Sequence, residues 1–228
     1  ESIIDLVQVG KDFLGLFARL PEVDPNNLGK LRILIFNWRD TQHVWSGGAE
    51  VYIQELSKRW VQMGHSATIF CGNDSHSPRY ETIDGVSIIR RGGFYLVYIW
   101  ALLYYLLKLR GKFDVIIDCE NGIPFFTPLF AKERKFLLIH HVHQEVFRKG
   151  LSSPLAWIAS LLEKTVMPVV YRNEEVITVS PSSKADILDH KLTKKEPEIV
   201  YNGVDLAKYK PGFKNPTPMV LYLGRLKF

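Results

Sequence analysis

Short apolar segments alternate along this chain with longer segments in which apolar residues recur every three or four positions. The short segments predict buried strands near residues 31–37, 66–71, 86–90, 114–118, 135–140, 175–179 and 198–201. The longer segments predict helices near residues 49–63, 95–109, 123–131, 154–171 and 182–190. Because strands and helices alternate, we expect an α/β fold whose doubly wound parallel sheet is covered by helices on both faces. Such sheets bind ligands at the carboxyl ends of their strands.

The two ends of the chain depart from this alternation. Residues 1–30 carry apolar residues near helical spacing and then a stretch rich in Pro and Asn, which predicts a helical N-terminal extension. Residues 31–210 hold the alternating pattern and predict one domain. Residues 211–218 predict a proline-containing linker, and residues 219–228 predict the first strand of a second domain. We therefore expect one domain followed by a truncated one, so that this chain is an incomplete fragment without activity of its own.

The composition adds a modest positive charge to this picture. The 228 residues include 29 Lys and Arg against 24 Asp and Glu, which gives a net charge of +5. This excess suits phosphate-bearing ligands or an anionic membrane surface, and it is too diffuse to indicate binding to nucleic acid. The two cysteines, Cys71 and Cys119, fall near the ends of predicted strands and favour a reduced, cytoplasmic protein.

The segment HVWSGGAEVYIQEL places two adjacent glycines, Gly47 and Gly48, between a polar loop and a predicted helix. The first amide groups of a helix lack internal partners and carry a partial positive charge, so they suit a phosphate or a sugar hydroxyl. The absence of side chains lets a ligand come close. The alternative is a plain glycine turn before a helix. A dinucleotide site matches poorly, because the G-x-G-x-x-G pattern is missing and the loop is too long for that tight turn.

Further motifs follow in order: a strand that ends in serine before a helix in VITVSPSSKADIL, an Asn-Gly turn in IVYNGVDLAKYKP, and LYLGRL. Together with the glycine segment they resemble the retaining GT-B glycosyltransferases of family 4, over residues 31–228. The resemblance implies the N-terminal, acceptor-side half of a GT-B fold, Rossmann-like and facing a cleft. It also implies sugar transfer from a UDP- or GDP-linked donor to a glycan or lipid-linked acceptor, with no metal and no cofactor. The alternative is a non-catalytic module that binds a sugar or a nucleotide.

The resemblance also implies roles for single residues. Gly47 and Gly48 lie near the donor phosphates and the acceptor, and Arg225 of the GRL motif binds the pyrophosphate. His143, in FLLIHHVHQEVF, is the best match for a histidine at the reacting centre, with His141 second. The alternative is that these histidines pack beneath the sheet.

Four more residues are candidates for binding the acceptor. Asp118 and Glu120 end a predicted strand, where their carboxylates either bind acceptor hydroxyls or cap the predicted helix that begins near Ile123. His43 and Trp45 lie in the polar loop before the glycines and are candidates for bonding to or stacking on a sugar. The alternative for Trp45 is packing against its own domain.

Residues 94–112 form an aromatic, apolar segment with basic flanks, which consist of Arg90, Arg91, Lys108, Arg110 and Lys112. As a helix, its apolar part spans about 21 Å, which is short of the ~30 Å hydrocarbon core of a bilayer. The aromatic residues and basic flanks favour a helix that lies on an anionic membrane, at its inner face. The alternative is an ordinary core helix whose charged ends are solvated.

Overall fold

The computed structural model describes residues 4–18, 29–142, 157, 160–210, 212–213 and 216–220. Its strands are β1 (Arg32–Phe36), β2 (Ser66–Cys71), β3 (Tyr80–Ile83), β4 (Val86–Arg90), β5 (Val115–Glu120), β6 (Arg134–Ile139), β7 (Glu175–Thr178) and β8 (Glu198–Ile199). Its α-helices are α1 (Leu6–Ala18), α2 (Gly48–Gln62), α3 (Val97–Tyr104), α4 (Met167–Val170) and α5 (Pro181–Asp189). Single π-helical turns extend α3 over Tyr105–Leu109 and precede α4 over Leu162–Val166.

The strands form one sheet in the order β3-β4-β2-β1-β5-β6-β7-β8. Every neighbouring pair runs parallel except β3 and β4. In the central strand, Ile35 pairs with Ile69 of β2 and with Ile117 of β5, and all three side chains are buried. Strands buried on both faces are continuously apolar, which is why the sequence pattern identified them. The predicted α/β fold with a largely parallel sheet is confirmed.

Alternate residues of the strands enter apolar cores on opposite faces of the sheet. On one face, α1 and α2 cover the sheet through rings such as Phe13, Phe17 and Trp60, and Phe17 reaches Phe136 of β6 at 5.0 Å. On the other face, α3 packs against β1, β2 and β5, while α4 and α5 pack against β6 and β7. The carboxyl edge of the sheet is left for the loops that follow the strands.

The N-terminal helix α1 is joined to this core by both polar and apolar contacts. The indole Nε1 of Trp60 donates to the carbonyl of Gly10 at 3.1 Å. The backbone of Asp5 forms a parallel bridge with Val204, beside the Asn-Gly turn. A Cβ at Gly203 would lie 2.9 Å from Leu6, so the glycine of this turn permits the close approach of the chain before α1. The domain boundaries expected from the sequence remain predictions.

The hairpin formed by β3 and β4 contains a strand that the hydrophobic pattern missed. Asp84 and Gly85 connect the two strands with φ angles of 51° and 81°. Positive φ at both central residues is typical of a two-residue hairpin turn, for which Asp-Gly is a preferred sequence. The pair Asp84–Gly85 was therefore the signal that identifies β3, whose alternating exposure gave only a weak apolar pattern.

Two predicted helices differ from the observed structure. The helix predicted over 123–131 is wrong, because this segment is irregular apart from a 3₁₀ turn over Thr127–Leu129. Pro124 and Pro128 interrupt the helical pattern there, and a buried carboxylate holds the segment, as described below. The helix predicted over 154–171 is present over the described residues 160–170, where a π turn over Leu162–Val166 departs from the α-helical pattern.

Candidate functional site

The loops after β1 and β5 meet at the carboxyl edge of the sheet. The side chain of Asn37, directly after β1, is buried and accepts a hydrogen bond from Asn121 Nδ2 at 2.6 Å. Asn37 Nδ2 in turn donates to the carbonyl of Arg39 at 2.8 Å. These bonds fix the start of the loop that leads to the glycines. Sequence reasoning missed both asparagines, whose only signal is a polar residue immediately after an apolar strand.

The two glycines lie where this loop enters α2. Gly47 is the N-cap in an extended conformation, and its amide donates to Glu50 Oε2 at 2.7 Å. The other oxygen of Glu50 accepts from Arg39 Nε at 3.2 Å, so the buried carboxylate joins the loop to the first turn of the helix. Helix starts of this kind present amide donors and the positive end of the helix dipole.

The surroundings of Gly48 impose no steric need for a glycine. Apart from its own helix, a Cβ at this position would meet no described atom within 4 Å, and φ lies outside the left-handed region. A glycine that served only a tight turn would have a positive φ or a close neighbour. Since Gly48 has neither, the described residues around it would tolerate a side chain.

Aromatic side chains form a wall next to this helix start. The ring of Phe94 contacts Trp38 at 4.5 Å and Trp45 at 5.4 Å, both edge to face. Trp38 Nε1 donates to the Phe94 carbonyl at 3.0 Å, and the guanidinium of Arg39 lies 4.4 Å above the Trp38 ring. Trp45 packs on its own domain in this way and still exposes 53% of its surface, and its role in acceptor binding stays a prediction.

Comparison with known proteins identifies the family of this chain. The sequence model of Glycosyltransferase Family 4 matches residues 46–208, which include the glycine helix start and the sheet from β2 to β8. The chain belongs to glycosyltransferase family 4. It is also 24% identical over 230 residues to the protein named "Uncharacterized glycosyltransferase MJ1069" of Methanocaldococcus jannaschii. That match covers 86% of this chain and 56% of the relative, so the chain spans about half of the relative's length.

The family match confirms the resemblance to family 4 that the sequence motifs indicated. The glycine segment and the serine-ended strand both lie at the carboxyl edge of the sheet, with β5 and β6 between β1 and β7. Ser180 caps α5 by accepting from the Ser183 amide at 3.1 Å, and Ser183 Oγ donates to the His140 carbonyl at 2.7 Å. The serine motif therefore holds the ends of β6 and β7 together.

Asp118, a candidate for acceptor binding, has its carboxylate oxygens occupied by hydrogen bonds within the domain. It is buried, and its oxygens accept hydrogen bonds from the amides of Phe125 at 2.9 Å and Thr127 at 3.1 Å. They also accept from the Thr127 hydroxyl at 2.8 Å and from the Tyr171 hydroxyl. Burial raises the pKa of this carboxyl, and the hydrogen bonds act in the opposite direction. Asp118 thus anchors the irregular segment after β5, where the alternative had placed the cap of a helix.

Of the remaining candidate residues, the structure describes Glu120 and His141. Glu120 is buried at the end of β5, and its Oε1 accepts from the Gly122 amide at 2.8 Å. His141 is exposed directly after β6. His143 and Arg225 lie outside the described residues.

His43 supports the aromatic wall through a hydrogen bond with the backbone of Trp45. It is buried, and its Nδ1 accepts a hydrogen bond from the Trp45 amide at 3.1 Å, which requires an unprotonated nitrogen. Burial lowers the pKa of the ring below its ordinary value of 6.5, although the nearby carboxylate of Asp74 acts in the opposite direction. His43 therefore positions Trp45 as a neutral imidazole.

We expect the His43 ring to titrate below pH 6.5. The unfolded chain then binds more protons than the folded one as the pH falls below that value, so this residue lowers stability under acid conditions. The measurement is NMR of ¹⁵N-labelled imidazoles against pH, with the resonance assigned by its loss in His43→Gln. A midpoint at or above 6.5 would contradict the buried, accepting ring.

Proposed function

We propose that this protein transfers a sugar from a nucleotide-sugar to an acceptor with retention of anomeric configuration, and that the described domain forms the acceptor side of the cleft. The observation that carries the proposal is Gly48: a position free of steric demand, at a helix start, in a family 4 domain. Such a site suits phosphate oxygens, because amide donors and the helix dipole both favour negative charge. A non-catalytic binding module is the second candidate, and it predicts donor binding without turnover.

The proposed donor is UDP- or GDP-linked, with its phosphates near Gly47 and Gly48. Arg39 is held beside this helix start by its ion pair with Glu50, at 3.1 Å. We assign pyrophosphate binding to Arg225, whose planar guanidinium suits paired phosphate oxygens, and these cations make a metal unnecessary. We assign to His143 a hydrogen bond to the donor sugar or to the charge that develops on it.

The proposed acceptor is a glycan or a lipid-linked sugar that meets the aromatic wall. Trp45 offers an exposed ring for stacking on a sugar, and His43 sets its position. Glu120 and His141 are proposed to bind acceptor hydroxyls from the ends of β5 and β6. We place this chemistry in the cytoplasm, at the inner face of an anionic membrane.

A donor panel tests the proposed function. The full-length protein is incubated with UDP- and GDP-sugars, released nucleotide is quantified, and the anomer of any product is determined by NMR. Turnover with one donor class and a product anomer identical to that of the donor is the expected result. Saturable donor binding without nucleotide release would favour the non-catalytic module, and an inverted product would overturn retention alone.

A further inference from the structure

The helix α3 and its π turn present apolar residues on two opposite faces. The inner face is buried against the sheet and consists of Val97, Ala101, Tyr105 and Leu109. The outer face, which we call the α3 outer face, has exposed fractions between 42% and 75% and consists of Tyr95, Leu96, Ile99, Trp100, Leu103, Leu106 and Leu107. The sequence left a core helix and an interfacial helix as alternatives, and this helix has the features of both. A contiguous apolar patch of this kind marks an interaction surface.

Positive charge lies at the C-terminal end of the α3 outer face. Lys108, Arg110 and Lys112 are all exposed within five residues. Of the nearby acids, Glu133 accepts from the Gly111 amide at 3.1 Å and from the Tyr105 hydroxyl. Asp114 is held by Arg32 in an ion pair at 2.7 Å. Three cations are therefore available to an anionic partner.

The basic residues before α3 contribute less than the sequence suggested. Arg90 is buried in an ion pair with Asp40, so it does not face an external partner. Arg91 is half-buried, with its guanidinium 4.3 Å above the ring of Tyr80. The charge of this surface is concentrated at one end.

The α3 outer face is continuous with the candidate site through aromatic rings. Tyr95, which lies just before α3, contacts Phe94 at 4.5 Å, and Phe94 contacts Trp45 at 5.4 Å. Trp45 precedes Gly47 by two residues. A molecule seated on α3 therefore reaches the glycine helix start along one uninterrupted aromatic surface.

We propose that the α3 outer face docks on an anionic phospholipid bilayer and so presents a lipid-anchored acceptor to Gly47 and Gly48. The proposal rests on the proposed function and names its acceptor class. Aliphatic and aromatic side chains enter the headgroup boundary, and the cations meet the lipid phosphates. Among the described residues, no helix is long and apolar enough to cross the bilayer, so the contact is peripheral.

Charge complementarity favours a bilayer over a protein partner or a second copy of the chain. Between Tyr95 and Leu107 the outer face carries no charged side chain, and its polar atoms are those of tyrosine and tryptophan. Protein interfaces surround an apolar centre with a polar rim that has paired charges. Here the charge is of one sign and lies at one end, which matches aromatic and basic residues at a lipid headgroup layer.

Vesicle co-sedimentation of the full-length protein tests the docking. The vesicles contain phosphatidylcholine alone or an equimolar mixture with phosphatidylglycerol. We expect binding to the anionic vesicles only, weakened about a hundredfold in the triple variant Lys108→Gln, Arg110→Gln, Lys112→Gln, since each charge near the surface contributes about fivefold. The matched control removes three exposed cations elsewhere, in Arg172→Gln, Lys191→Gln, Lys194→Gln, and is expected to bind nearly as the wild type does.

The apolar contact and the orientation have their own measurements. Leu103→Gln with Leu107→Gln is expected to lose most binding while its circular dichroism is unchanged. Brominated lipids are expected to quench wild-type fluorescence, and quenching is expected to fall in Trp100→Phe and in Trp45→Phe.

Equal sedimentation of the wild type and the α3 variants would overturn the docking. A sedimentation coefficient that differs between the wild type and the α3 variants without vesicle binding would also overturn the docking, because it indicates self-association. Unaltered quenching in Trp45→Phe would overturn the presentation of the acceptor.

The two proposals fail in different ways. A protein that binds anionic vesicles but turns over no donor contradicts the transferase and leaves the docking intact. A protein that glycosylates a water-soluble acceptor at the same rate with and without vesicles, and does not sediment with them, contradicts the docking alone.

Discussion

Gly48→Val is expected to lower sugar transfer by about 10²-fold while the fold is retained, because displacing a reactant by about 1 Å has an effect of that size. The valine side chain would extend into the space beside the helix start, where the donor phosphates are proposed to lie. No described neighbour within 4 Å and no positive φ oppose the substitution. Valine also suits a helix slightly better than glycine does, so the melting temperature is expected to stay equal or rise.

A matched glycine separates this effect from helix propensity. Gly15 is exposed in α1, and a Cβ there would also meet no described atom within 4 Å beyond its own helix. Gly15→Val is therefore expected to preserve both stability and transfer, and Gly48→Ala to fall between the wild type and Gly48→Val. The measurement is steady-state kinetics with the active donor beside a melting curve. Unchanged kinetics in Gly48→Val would contradict a ligand site beside these glycines.

Arg90→Leu is expected to lower the free energy of unfolding by about 3–5 kcal/mol, which is the effect of removing one partner of a buried ion pair. The side chains of Arg90 and Asp40 are each 1% exposed. Arg90 Nε donates to Asp40 Oδ2 at 2.9 Å, and the guanidinium also reaches Glu81 and the Pro78 carbonyl, each at 2.7 Å. Without Arg90, a carboxylate would stay buried with no opposite charge among its described neighbours.

An exposed ion pair provides the control. Arg32 and Asp114 also form a bidentate pair, but 51% and 35% of their side chains are exposed. Arg32→Leu is expected to lower the free energy of unfolding by only about 0–1 kcal/mol, since solvent screens such pairs. Urea unfolding measures both variants, and Asp40→Leu combined with Arg90→Leu is expected to recover part of the loss. Equal losses for Arg90→Leu and Arg32→Leu would contradict the buried pair.

The buried pair also links stability to the candidate site. Asp40 lies in the loop between β1 and α2, which carries Trp45 and the glycines. Asp40 Oδ1 has no hydrogen-bond partner among the residues that the structure describes, so the loop depends on Arg90 to hold this carboxylate. The consequence is that Arg90 belongs to the framework of the site and not to the membrane-facing charge that the sequence suggested.

Hydrophobic patterning determined the fold of this chain to within one or two residues for most strands. The predicted strands 66–71 and 86–90 coincide with β2 and β4, because strands buried on both faces leave continuous apolar segments. The helix expected over 49–63 is α2, which begins at Gly48. The glycines at this helix start were recognised because they stand directly before the predicted helix in the sequence.

Only the tertiary structure decided the contacts between residues far apart in the chain. Asn37 meets Asn121, and Asp118 meets Tyr171, across separations that no local pattern encodes. The same is true of Arg90, whose burial depends on where the loop with Asp40 folds. The sequence shows that Asp118 and Glu120 end a strand, and that residues 94–107 are apolar all round. Packing decides which carboxylate oxygens of Asp118 and Glu120 stay available and which face of the apolar helix meets the sheet. Burial is a property of the assembled fold.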